Sequence, residues 1–184
     1  MEFLGVLGVL ILLILGWGIA IYNRLVRQRN LVLEGWSGID VQLKRRSNLI
    51  PNLIATVKGY MGHERGVLEK VTELRSKSMA AGAPGEKGRI EGALSRSLVS
   101  LFAVAEGYPD LKANQNFIDL QSQLAEIEDQ IQLARRYYNG ATRNLNIAVE
   151  SFPSNIVAQM FTFVRAEFFE IEDAEDRAVP EVKF

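Results

Sequence analysis

An apolar run near the start of the chain most limits what the sequence can fold into. From Phe3 to Tyr22 every residue is apolar, aromatic or small, and none is charged. The hydrocarbon core of a bilayer is about 30 Å thick and takes roughly 20 helical residues to cross. The run therefore predicts a membrane anchor over residues 1–22 and a water-exposed domain over residues 23–172. Trp17 and Tyr22, near the end of the run, suit a membrane–water interface.

A cleaved signal peptide is the alternative interpretation of this run. Signal peptides combine a positively charged start, an apolar stretch of roughly 7–15 residues and a small-x-small cleavage site. Here Glu2 has the opposite charge, the apolar stretch is longer, and no clear Ala-x-Ala site follows. These differences favour an uncleaved anchor.

Basic residues just after the run predict its orientation. Arg24, Arg27 and Arg29 follow the span, and only the terminal amine is basic before it. Arg and Lys beside a span stay on the cytoplasmic side, so we expect an outside N-terminus and a cytoplasmic domain. The candidate anchor residues are Phe3, Trp17, Tyr22, Arg24 and Arg27.

Two heptad patterns predict that the domain is helical. Apolar residues recur at alternating spacings of three and four over residues 25–74 and 117–152, as in the packing seam of long helices and unlike the period of two in a strand. The first pattern predicts one helix from the anchor to about Ser78, kinked near Pro51, because its phase continues across the proline. A new helix capped by Ser47, with Pro51 in its first turn, stays open as the alternative.

Shorter patterns complete the domain. A glycine- and proline-containing loop at 79–88 precedes an apolar helical face over 90–105, and a last short helix is expected over 156–168. The predicted fold class is all-α, with an N-terminal transmembrane helix followed by an antiparallel, four-helix-type bundle of long helices. Residues 173–184 are predicted to form an acidic, frayed tail.

Charged residues on the first seam are candidate interaction residues. Arg29, Arg46 and Glu64 occupy seam positions. Either the seam drifts locally and the arginine stems reach water, or these charges meet partner charges and set helix register or oligomeric state. Phe163 and Phe169 lie outside the apolar stripe of the last helix, which suggests a subunit, membrane or docking contact.

The sequence lacks the motifs of several common enzyme classes. His63-Glu64 is followed by Val67 where a zinc-protease motif has its second histidine, and the chain has a single histidine and no cysteine. Neither a nucleophile elbow nor a phosphate loop occurs. We therefore predict no enzymatic activity, cofactor, metal or small-molecule substrate. The net charge of −1 gives no general attraction to nucleic acid.

Nearly the whole chain resembles the LemA family. The segments that carry the resemblance are IDVQLKRR at 39–46, LIPNL at 49–53, VKGY at 57–60, YPDLKAN at 108–114, NF at 116–117, ARR at 134–136, YN at 138–139 and FP at 152–153. The resemblance implies an N-terminal membrane helix with its N-terminus outside, a helical bundle and no established enzymatic activity. It also implies relatives that take part in building bacterial membrane compartments.

The chain departs from the family pattern at Gly35, where alanine usually precedes the tryptophan. Glycine lowers helix propensity by up to about 1 kcal/mol, so we expect a softer helix there.

These observations predict a membrane-anchored, non-enzymatic helical scaffold of the bacterial inner membrane that self-associates and serves membrane organisation or envelope processes. Its expected partners are the lipid bilayer and further copies of the chain. The alternative is a monomeric, membrane-tethered adaptor that docks a cytoplasmic partner or a neighbouring membrane protein.

Overall fold

The computed structural model describes residues 2–61 and 64–170, and those ranges contain helices and no strand. This confirms the all-α fold class. The acidic tail predicted at 173–184 and the lone His63 lie outside the described residues. The helices are α1 (Glu2–Lys58), α2 (Arg65–Ala80), α3 (Pro84–Ala105), α4 (Pro109–Lys112), α5 (Gln115–Glu150) and α6 (Ser154–Met160).

Helix α1 passes through Pro51 without ending, so the alternative of a fresh start at Ser47 is wrong. The predicted end near Ser78 is also wrong, because α1 ends at Lys58. There the carbonyl oxygen of Val57 accepts hydrogen bonds from the main-chain nitrogens of Tyr60 and Met61, both at 3.0 Å, which close a turn.

The heptad pattern did not reveal this turn, because the apolar residues of α2 continue the spacing of those in α1. Leu68, Val71 and Leu74 of α2 are buried in the same core as Leu53 and Val57 of α1. A helix that folds back can therefore keep the apolar spacing of the helix before it.

The contacts within the chain define two compact units, which are described separately. Among the described residues, the first contains residues 2–37 and Arg136–Glu167, and the second contains residues 38–61, 64–135 and 168–170.

Within the second unit, the residues of α1 after Ser37, α2, α3 and the first part of α5 form an antiparallel four-helix bundle. Lys87 lies 3.4 Å from Asp40 and Glu91 pairs with Arg46, so α3 runs parallel to α1. Helices α2 and α5 run the opposite way. Leu68 and Lys58 line the same pocket, and Arg75 reaches Ser47. The rings of Phe102 and Phe117 are 6.0 Å apart. Their apolar faces fill one core.

Within the first unit, the start of α1 packs against the end of α5 and against α6. Leu25, Ala148, Ala158 and Phe163 form its buried core. At Gly35, α1 and α5 approach closely, because a Cβ there would lie 3.0 Å from the Cα of Tyr138. The glycine therefore marks a tight helix contact, where the sequence led us to expect only a softer helix.

Candidate membrane-facing site and buried charge network

The apolar start of α1 is exposed over most of its length. In the described part of the chain, one helix is long and apolar enough to cross a membrane. No residue in its most apolar stretch is buried. Phe3, Trp17 and Tyr22 are exposed, as are Arg24 and Arg27 in the turns that follow. A water-soluble protein rarely exposes so large an apolar surface, so this segment has the properties of the predicted anchor.

A second apolar surface lies beside this segment. Residues 152–164 include the short helix α6, and their large exposed apolar side chains are Phe152, Ile156, Met160, Phe161 and Val164. A groove of about 530 Å³ separates residues 14–22 of α1 from residues 153–161, and its lining is almost entirely apolar. Helix α6 therefore adds apolar surface where α1 leaves the predicted span.

Aromatic rings cluster at one end of this groove. The ring of Tyr22 lies 4.8 Å from that of Phe161 and 5.8 Å from that of Phe163. The Arg29 guanidinium carbon lies 5.2 Å from the centre of the Phe163 ring, within the range of a cation–π interaction. Phe163 is only 7% exposed, so it packs inside its own chain, contrary to the expectation of a surplus surface aromatic.

Four helices of the second unit meet at Arg46, whose side chain is 1% exposed. Its Nη1 donates to a Glu128 carboxylate oxygen at 2.6 Å and to Ser95 Oγ at 2.7 Å. Its Nη2 donates to the carboxylate of Glu91, which also accepts a hydrogen bond from the Ser78 hydroxyl. We call these five residues the Arg46 network; they come from α1, α2, α3 and α5.

The Arg46 network links the four helices of the bundle. A buried ion pair adds little net stability, because desolvation offsets the attraction, but removing one partner leaves an uncompensated charge. Arg46 meets partner charges, as one of its two interpretations expected, and these charges belong to its own chain. Phe169, another candidate interaction residue, is fully buried. Phe169 is thus not available as contact surface, contrary to the expectation from the sequence. Glu64 is half-buried at the start of α2 and makes no side-chain capping bond there.

Sequence reasoning missed Glu91, the partner of Arg46. The signal was present: Glu91, Leu94, Leu98 and Leu101 follow the same three-and-four spacing, so a carboxylate lies on the apolar face of α3. A seam carboxylate and a seam arginine in one bundle are natural partners, since both need compensation once buried.

Two further contacts have electrostatic consequences. A hydrogen bond from Lys44, at 2.7 Å, holds the pKa of Asp40 below its ordinary value, and Lys87 acts in the same direction. Burial raises the pKa of Tyr138, whose hydroxyl donates to the Glu167 carbonyl oxygen at 2.6 Å. Across residues 2–61 and 64–170, no group of three or more His, Asp or Glu side chains is placed to hold a metal ion.

One exposed apolar helix that continues into an antiparallel helical bundle defines the chain as a membrane-associated all-α protein. The family model for the LemA family matches residues 35–184. The chain therefore belongs to the LemA family.

Curated relatives agree with this assignment. The chain is 29% identical to Protein LemA of Metamycoplasma hominis, over 83% of this chain and 70% of the relative. It is 25% identical to Magnetosome protein MamQ 2 of Paramagnetospirillum magneticum, over 86% of this chain and 68% of the relative. It is 22% identical to Magnetosome protein MamQ of Magnetospirillum gryphiswaldense, with the same coverage.

Proposed function

We propose that the chain is a membrane-anchored, non-enzymatic scaffold that self-associates and serves the organisation of a bacterial membrane. The observation that carries the proposal is the free face of the span in α1.

Small residues mark the free face of the span. Residues two apart on an α-helix differ by about 200° in direction. Gly16 and Ala20 therefore point away from Gly18 and Tyr22, which face α6. Added to Gly16, a Cβ would meet no atom within 4 Å. Small residues spaced by four let two membrane helices approach closely, so a second copy of the span fits this face.

The family supports this class of role. Two of the relatives reported above are named as magnetosome proteins, which supports by analogy a role in membrane organisation. The Arg46 network also fits a structural role, because the Nη1 and Nη2 atoms of Arg46 bond to side chains of other helices of the same bundle. An inner-membrane location with a cytoplasmic domain completes the proposal.

Light scattering of the full-length protein in mild detergent tests self-association. We expect several subunits per particle at micromolar concentration, and fewer in Gly16→Leu, whose added side chain separates the spans. Gly18→Leu is the matched control, because it makes the same change on the side of α6 and should leave the particle size unchanged. A monomer across micromolar concentrations would contradict the proposal and favour a monomeric adaptor.

A further inference from the structure

The groove beside α6 is bounded on one side by the membrane span itself. From Ile14 to Tyr22 the helix rises about 12 Å, close to the roughly 15 Å of hydrocarbon in one leaflet. Since these residues form one wall of the groove, a span that crosses the bilayer brings α6 into the same leaflet. The groove then opens toward lipid and not toward water.

The main chain around α6 is suited to this depth. Polar main-chain groups need internal partners wherever water is absent. Pro153 has no N–H to satisfy, and the Ser154 hydroxyl donates to the Ala148 carbonyl oxygen at 2.7 Å. The nitrogens of Phe161 and Phe163 donate to carbonyl oxygens one turn back, at 3.1 and 2.9 Å. The exposed apolar side chains of residues 152–164 also match an interfacial helix, which lies about 5–10 Å into the headgroup–acyl boundary.

We propose that this groove holds one acyl chain of a membrane phospholipid, whose phosphate Arg29 contacts. A lipid chain is the occupant that the surroundings supply, because the groove is continuous with the lipid-facing surface of the span. Gly18 lines it and has no atom within 4 Å of the position of a Cβ, which leaves room for a chain to lie against α1.

Arg29 is placed to contact the headgroup. It follows Tyr22 by seven residues, so it lies on the same face of α1 about 10 Å further along the axis. The aromatic layer formed by Tyr22, Phe161 and Phe163 lies at the end of the groove nearest to Arg29, and the Phe163 ring supports the guanidinium group. An acyl site, an aromatic layer and a cation thus follow in the order of a phospholipid from tail to phosphate.

Lipid retention measured by native mass spectrometry tests the proposal. The full-length protein, in a mild detergent with added dioleoyl phosphatidylglycerol, should keep one lipid per subunit with saturable binding. Gly18→Leu fills the groove and should weaken binding by about tenfold or more, because each excluded methylene contributes roughly fourfold to affinity. Gly16→Leu should bind like the unmodified protein. Equal binding by both variants, or binding that never saturates, would overturn the proposal.

A second measurement needs no change in the groove. In a Trp36→Phe background Trp17 is the sole tryptophan and supplies the tryptophan fluorescence. It lines the groove. Titration with phosphatidylglycerol that carries brominated acyl chains should quench Trp17 until one lipid per subunit is bound. Quenching that rises linearly without a plateau would contradict a discrete site.

The headgroup contact has its own matched pair. Arg29→Gln should reduce any preference for phosphatidylglycerol over phosphatidylcholine, whereas Arg27→Gln removes an equal charge from another face of α1 and should not. An equal loss in both variants would overturn the assignment of Arg29. The lipid site depends on the span crossing the bilayer and not on self-association. Gly16→Leu tests self-association and Gly18→Leu tests lipid binding, so the two proposals can fail separately.

Discussion

Arg75 donates its Nε–H to the main-chain carbonyl oxygen of Ser47 at 2.8 Å. That oxygen is the one that Pro51, four residues later and without an N–H, leaves with no helical partner. A side chain of α2 therefore supplies the hydrogen bond that the proline removes from α1. This contact explains how a helix in a packed core tolerates a proline, because the freed oxygen is not left unsatisfied.

The first prediction is a coupling between Arg75 and Pro51. Arg75→Met should lower the free energy of unfolding by about 1.5–3 kcal/mol, the range for hydrogen bonds to charged groups. In a Pro51→Ala background the restored N–H donates to the Ser47 carbonyl oxygen. Arg75→Met should then lower the free energy of unfolding by less. Denaturation of the full-length protein in detergent, followed by circular dichroism, gives both values. Equal losses in the two backgrounds would show that the two residues act independently.

The second prediction concerns the Arg46 network. Arg46→Met should lower the free energy of unfolding by about 3–5 kcal/mol, because it leaves the carboxylate of Glu91 buried without compensation. Adding Glu91→Leu should recover most of this loss, since Glu128 remains partly exposed and can reach water.

The same denaturation experiment measures both variants of the network. Lys44→Met is the control, because it changes an exposed cation of the same helix and should have an effect below about 0.5 kcal/mol. A double variant as unstable as Arg46→Met alone would refute the account of an uncompensated charge.

Local spacing predicted α1, α3, α5 and α6, because heptads and apolar faces are readable along one helix. The last helix is shorter than the predicted 156–168, since α6 ends at Met160. The end of α1 at Lys58 was not predicted, because α2 resumes the phase of α1 after the turn. The partner of Arg46 was missed for a different reason. Glu91 lies 45 residues away, and the pairing follows from how α3 packs on α1, which no local pattern records.

The third prediction tests a close approach in the second unit. The main chain of Glu170 passes so near Gly88 that a Cβ there would overlap its carbonyl oxygen. Gly88→Ala should therefore displace this segment and the fully buried ring of neighbouring Phe169. We expect a loss that approaches the roughly 3–5 kcal/mol of truncating a buried Phe.

Gly38→Ala is the matched control for Gly88. Gly38 is also helical, but a Cβ there would meet nothing within 4 Å, so the change should stabilise the protein by up to about 1 kcal/mol. Thermal unfolding of the two variants should therefore shift in opposite directions. A stabilised Gly88→Ala variant would show that the segment around Glu170 can move aside without lowering the stability of the protein.

The last prediction concerns orientation. Arg24 and Arg27 follow the span and are exposed, so the positive-inside preference should hold the domain in the cytoplasm. Green fluorescent protein fused after Phe184 should fluoresce, and alkaline phosphatase fused there should be inactive, because each works on one side of the membrane only. Changing Arg24 and Arg27 to Glu and adding lysines before Phe3 should raise phosphatase activity, since the charge difference is then reversed. Arg29 stays unchanged in this variant because it stacks on Phe163. Active phosphatase in the unmodified fusion would place the domain outside and overturn the predicted topology.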